Sequence, residues 1–208
     1  MKYIMHKLMV VTAMGFFIIS PSVYAKDLNV KEKAKEFASK AISAAQREIN
    51  KHAIGFGLGQ TFLMGNFEKK GDNKISTDLL YSYTASYSFD LLINFHHSYH
   101  EYKQKAVWLR GYTMSIKARS YEYDAFSPYL LGGLGFYMPQ IKDYQGVTSE
   151  PKYTFGFNAG AGLDLRLNNR IVTGLMAHYH HPFDVKQDTT EDVRGSYFKL
   201  LLTAMYMF

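Results

Sequence analysis

The end of the chain constrains the fold more than any other stretch. From Gly195 to Phe208, every second residue on one side is apolar: Phe198, Leu200, Leu202, Ala204, Tyr206 and Phe208. The alternate positions, Tyr197, Lys199, Leu201, Thr203, Met205 and Met207, are mixed. Side chains alternate across a strand, so the chain closes on a strand with one wholly apolar face. An apolar face that finishes in two aromatics suits a strand that meets lipid and then an interfacial aromatic girdle. The competing explanation is an edge strand of a soluble sheet, and the remaining residues weigh against it.

Met1 to Ala25 reads as a secretory signal: Lys2, His6 and Lys7 form a basic start, Leu8 to Ile19 an apolar stretch, and Val23-Tyr24-Ala25 a small-x-small cleavage site. The apolar stretch is short for a spanning helix, which needs about 20 residues. No later segment is apolar enough to serve as one, so entry into a membrane would be by strands. The chain has no cysteine, which excludes disulfide staples and thiolate chemistry in an exported protein. Aromatic residues make up 16% of the chain while mean hydropathy is −0.20, a combination that suits one lipid-facing and one polar face. The formal charge of +6 comes without a basic stripe or a nucleic-acid recognition motif, so no nucleic acid is expected as a partner.

Residues 26–52 differ from all that follows. Val30, Ala34, Phe37, Ala38, Ala41, Ile42, Ala45 and Ile49 recur at helical spacing among Lys31, Glu32, Lys35, Glu36, Lys40 and Arg47. This predicts a short amphipathic helix with a weak, alanine-rich stripe, on the membrane surface or in the periplasm.

Residues 53–208 predict an all-β architecture, an eight-stranded antiparallel up-and-down barrel. The clearest strand is 77–89, with Leu79, Tyr81, Tyr83, Ala85, Tyr87 and Phe89 on one face and Asp78, Ser82, Thr84, Ser86 and Ser88 on the other. A tight turn is expected near Phe89-Asp90 and a hairpin turn at Asn168-Asn169. Long polar connections are expected at 65–76, 100–105, 139–152 and 182–194, all at one end, with shorter turns at the other. A soluble ligand-binding barrel would turn the bulky face inward. The glycines oppose that: Gly55, Gly57, Gly59, Gly156, Gly160 and Gly162 lie opposite the bulky residues, where a narrow interior needs small ones. In the Gly-rich strand after Pro128, Leu130, Leu134 and Phe136 are expected to face outward.

The stretches Pro128-Tyr129-Leu130-Leu131-Gly132-Gly133-Leu134-Gly135 and Phe155-Gly156-Phe157-Asn158-Ala159-Gly160-Ala161-Gly162-Leu163-Asp164, with the terminal Tyr206-Met207-Phe208, carry a resemblance. They resemble the small eight-stranded outer-membrane β-barrel proteins, the group of the OmpA barrel domain, OmpX and OmpW. The resemblance implies a monomer in the bacterial outer membrane, in contact with outer-membrane lipids and lipopolysaccharide. It also implies that Tyr206 and Phe208 form the signal read by the barrel-assembly machinery. It specifies architecture rather than activity, since this fold hosts adhesins, structural proteins, small-solute pores and lipid-modifying enzymes.

Several inward residues could carry chemistry. Asp78, Lys117, Arg119, Asp164, Arg166 and Lys199 predict an interior ion-pair network that closes the lumen, with a narrow ion path as the alternative. His96, His178 and His180 are the candidates for catalysis, and such a group could also bind a metal. Lipid A acyl transfer or deacylation are the activities known for similar barrels. The deacylases pair their histidine with a serine two positions on, whereas His180 follows His178 here. No catalytic motif, metal site or cofactor is therefore expected, and the leading expectation is a structural or interaction role with polar outer loops. Arg110 interrupts an outward apolar face: it is the candidate for a lipopolysaccharide contact, the alternative being a strand one residue out of register.

Overall fold

The computed structural model describes residues 51–86, 88–119, 126–188 and 191–208. The expected signal segment and nearly all of the expected helix lie outside them. His52 opens the first strand. The strands are β1 (His52–Met64), β2 (Lys74–Thr84), β3 (Phe89–Tyr102), β4 (Lys105–Arg119), β5 (Phe126–Tyr137), β6 (Gln140–Lys142), β7 (Thr154–Arg166), β8 (Ile171–Pro182) and β9 (Ser196–Met207). Each pairs antiparallel with its neighbour, and β1 pairs with β9, so the ladder closes into a ring. β5 and β6 keep a single register along β4, with Gly111↔Tyr137 followed by Trp108↔Gln140. They are one barrel strand interrupted at Met138-Pro139, where proline has no N–H to give the ladder. The ring is therefore an eight-stranded barrel.

The period-two pattern places the faces. Leu130, Leu134 and Leu202 are about two-thirds exposed, at 68%, 67% and 68%, while Leu80, Leu92, Leu131 and Leu201 on the alternate positions are buried. The large exposed apolar side chains form the outer belt of the barrel, not its core. Aromatic pairs mark the upper edge of this belt: Phe62 with Phe198, Phe136 with Phe155, and Phe157 with His181. At the start of β1, His52 stacks on Phe208 and contacts Tyr81 and Tyr83. Phe208 extends the ladder, donating its backbone N–H to the His52 carbonyl at 2.8 Å.

The inward glycines are the floor on which inward rings lie. A methyl at Gly162 would come within 2.3 Å of the Tyr129 hydroxyl, and one at Gly111 within 2.4 Å of the His96 ring. Real side chains do not approach so closely, so the large inward rings require these small partners.

Three expectations about connections are corrected. The turn expected near Phe89-Asp90 comes earlier: β2 ends at Thr84, the Ala85 and Ser86 amides donate to the Phe89 carbonyl, and Phe89 already begins β3, because the apolar alternation resumes immediately on the returning strand. The polar stretch 100–105 is not a long loop: the ladder runs on through Tyr102↔Lys105, leaving Lys103-Gln104 as the turn, with Lys103 at φ 55°. Backbone hydrogen bonding continues past the apolar belt even where the hydrophobic signal ends. The 139–152 loop likewise starts as β6 and folds back in a hairpin, with Lys142 bridged to Thr148 and Gly146 at φ 80°. The Asn168 turn forms as expected, its side-chain oxygen accepting the amides of Arg170 and Ile171 at 2.8 and 2.9 Å.

Candidate functional site in the barrel interior and on its outer rim

The lumen is layered. Nearest the long connections, Leu63, Val107, Leu109, Tyr137, Ile141 and Tyr197 form a buried apolar cluster together with Phe67, Val185 and Val193. The last three come from connections, not from barrel strands. Val185 and Val193 pair through their backbones, and Gly195 at φ 149° lets the chain pass close over the Phe67 ring. The connections expected to be purely polar thus supply an apolar lid. A hydrophobic residue isolated in a polar segment has no periodicity to reveal it, so these residues were not legible in the sequence.

Beneath this cluster lies a polar layer holding all of the candidate histidines. His96, His178 and His180 are each 0% exposed. Their rings pack at tilted angles, with centroids 4.8 Å apart and 54° between planes for His96 and His180, and 4.0 Å and 46° for His178 and His180. His96 donates from Nδ1 to the Asn94 side-chain oxygen at 3.2 Å and accepts at Nε2 from the Tyr197 hydroxyl at 2.5 Å. His178 Nε2 and the Ser115 hydroxyl both donate to Asn158 Oδ1, at 3.0 and 2.6 Å. Tyr137 bonds His180 Nδ1 at 3.2 Å. Among the described residues, no group of three or more His, Cys, Asp or Glu is arranged to hold a metal ion.

Lys199 in the same layer pairs with Asp78, both side chains 0% exposed, and Asn94 donates to the other Asp78 oxygen at 2.8 Å. A second apolar cluster, Leu80, Leu92, Tyr129, Leu131, Met176 and Leu201, closes the lumen below. At the turn end Lys117 pairs with Asp164, Arg119 with Asp90, and Arg166 lines the same cavity of about 40 Å³. The structure therefore brings Lys117, Arg119, Asp164 and Arg166 together but separates them from Asp78 and Lys199. Asp78 is central rather than near the outer end, since it faces His96 and Gly57 in mid-strand. Asp90, which the sequence pattern places in a turn, is instead an inward residue of β3 and joins this network.

On the outside, Arg110 is half-buried and lies just beyond the upper edge of the apolar belt, beside His97, its register partner. Above the barrel, Lys152 is raised from its ordinary range by the Asp188 and Glu150 carboxylates, and Arg194 holds Asp192 below its own.

The findings from known proteins agree with this geometry. The fold matches neisserial surface protein A, with a TM-score of 0.59, 11% identity, and coverage of 76% of this chain and 96% of that one. It also matches outer membrane protein W of E. coli (TM-score 0.52, 13% identity, 78% and 100% covered) and OprG of Pseudomonas aeruginosa (0.51, 10%, 76% and 96%). In sequence, 86 residues are 34% identical to the 25 kDa outer-membrane immunogenic protein of Brucella ovis. That match spans 41% of this chain and 41% of the Brucella protein. No family model matches the chain. The fold is that of the small eight-stranded outer-membrane barrels, and the outer membrane is where the chain resides, with its apolar belt facing lipid.

Proposed function

We propose that this outer-membrane barrel is a sealed, non-conducting scaffold that presents its outer connections to partners outside the cell. The observation that carries this reading is the pair of apolar clusters closing the lumen above and below the histidine layer. An ion would have to shed its water at both layers, at a cost of several kcal/mol. The same burial opposes lipid A chemistry at His96, His178 and His180, because a general base must reach the proton it removes. What remains accessible is the outer end, where 65–76, 100–105, 139–152 and 182–194 are the candidate ligand-contacting stretches. The Brucella relative is named as immunogenic, which supports exposure of such segments at the cell surface.

Export by removal of residues 1–25, a periplasmic or surface helix over 26–52, and recognition of Tyr206 and Phe208 by the barrel-assembly machinery belong to the same proposal. The test is single-channel recording in planar bilayers with folded protein, shown to be folded by its faster gel migration before boiling. The expected result is no reproducible current steps. Steps of constant size would overturn the sealed-lumen reading. Altered lipid A mass in cells overproducing the protein, abolished by His178→Ala, would replace it with an enzyme.

A further inference from the structure

Among the described residues, the outward positions of the strands carry two Lys or Arg side chains, Arg110 in β4 and Lys142 in β6. They stand on one strip of wall, because β6 runs along the outer half of β4 with Ala106↔Lys142 and Trp108↔Gln140. Arg110 is placed at the interface by its neighbours. The Phe95↔Tyr112 and Tyr112↔Phe136 pairs lie one step toward the belt, and the Tyr99–Trp108 ring pair, 5.0 Å between centroids, one step outward. A cation in mid-membrane is costly, whereas one level with interfacial aromatics is not. His97 directly across the ladder adds a second nitrogen donor at the same level. Among the described residues, no carboxylate pairs with Arg110. Glu101, the acid on this wall, lies further out, beside Tyr99.

Lys142 sits four residues beyond the Arg110 level along the ladder, about 13 Å at strand rise. Lys105 lies near it with its ammonium 3.8 Å above the Tyr144 ring, and Lys103 lines the adjacent groove. The cations therefore form a column that starts at the membrane surface and continues outward.

We propose that Arg110, with His97, binds a phosphate of lipid A, and that Lys142 and Lys105 follow the phosphorylated sugars further out. Lipid A is the occupant favoured by the geometry. The site opens sideways to the outer leaflet, and guanidinium matches phosphate with two parallel donors. Lys103, Lys105 and Lys142 line one groove with a single carboxylate, Glu101, among its lining residues, so a headgroup whose charge ended at the membrane surface would leave two of the three ammoniums unmatched. The site lies on the lipid face, independent of whether the lumen conducts.

The experiment uses the full mature chain folded in detergent, titrated with bisphosphorylated lipid A, fully dephosphorylated lipid A and phosphatidylglycerol. Occupancy is read by native mass spectrometry. Bisphosphorylated lipid A is expected to bind about tenfold more tightly than the dephosphorylated form. Arg110→Gln removes most of that ratio, Arg110→Lys part of it, and Arg170→Gln in the turn at the opposite end of the barrel none. Folding of each variant is checked by gel mobility before and after boiling. Equal binding of the dephosphorylated lipid, an unchanged ratio in Arg110→Gln, or phosphatidylglycerol binding as tightly as lipid A would each overturn the proposal.

Discussion

Two sets of ion pairs lie inside the same barrel and are held in opposite ways. Lys199 and Asp78 sit at mid-lumen, 0% exposed on both sides, between apolar layers. Lys117–Asp164 and Arg119–Asp90 sit at the turn end, with side chains 6% to 17% exposed around a cavity of about 40 Å³. A cavity of that size holds a water molecule, which needs about 10–15 Å³. The chemistry is the same in both places, but the alternatives open to a stranded charge differ. At the mouth, an abandoned lysine can turn to water or to a neighbouring acid. In the middle, it has neither. Charge inside this barrel is structural where it is sealed and adjustable where water reaches it.

The largest expected effect tests the sealed pair. Asp78→Ala leaves Lys199 as an uncompensated buried charge and should lower unfolding free energy by about 3–5 kcal/mol, read by urea titration from lipid vesicles. The double change Asp78→Leu with Lys199→Met should recover most of that loss. If Asp78→Ala alone is nearly neutral, water reaches the middle and the contrast with the mouth disappears. Next in size is Gly162→Val, which drives side-chain atoms into the Tyr129 ring where Tyr129 also faces Lys117 at 4.0 Å. Overpacking there should cost about 1–3 kcal/mol by the same titration. Gly162→Val combined with Tyr129→Ala should recover only part of the loss, because the Leu175 carbonyl also lies within 2.5 Å of the added carbon. The smallest effect belongs to the mouth. Asp164→Asn should cost about 1 kcal/mol and lose even that at high salt, since wet charges are screened. A salt-independent loss as large as that of Asp78→Ala would show that both sites are sealed alike.

The faces of nearly every strand could be read before the fold was known, because a strand alternates with a period of two whatever surrounds it. Leu130, Leu134 and Phe136 outward, and His96, His178 and His180 inward, needed only that rule once a lipid-facing exterior was inferred from Phe208 and the glycine faces. The strand ends were less legible. Beyond the belt at Tyr102 and Lys105 the ladder continues on polar residues, and hydrogen bonding between backbones leaves no mark in side-chain character. Asp90 was lost to the same uncertainty.

The sequence by itself determined a lipid-facing barrel: its alternation, its glycine faces and its aromatic ends admit few other ways to satisfy the backbone in a membrane. Only the tertiary structure decided which inward groups meet. Lys199 and Asp78 stand 121 positions apart, and β9 reaches β2 only across the closed ring. Whether Lys199 finds Asp78 or Asp164, and whether Phe67 and Val193 fold over the lumen, depends on the register at which the ring closes. That register is set by all eight strand pairings together, so no local stretch of residues records it.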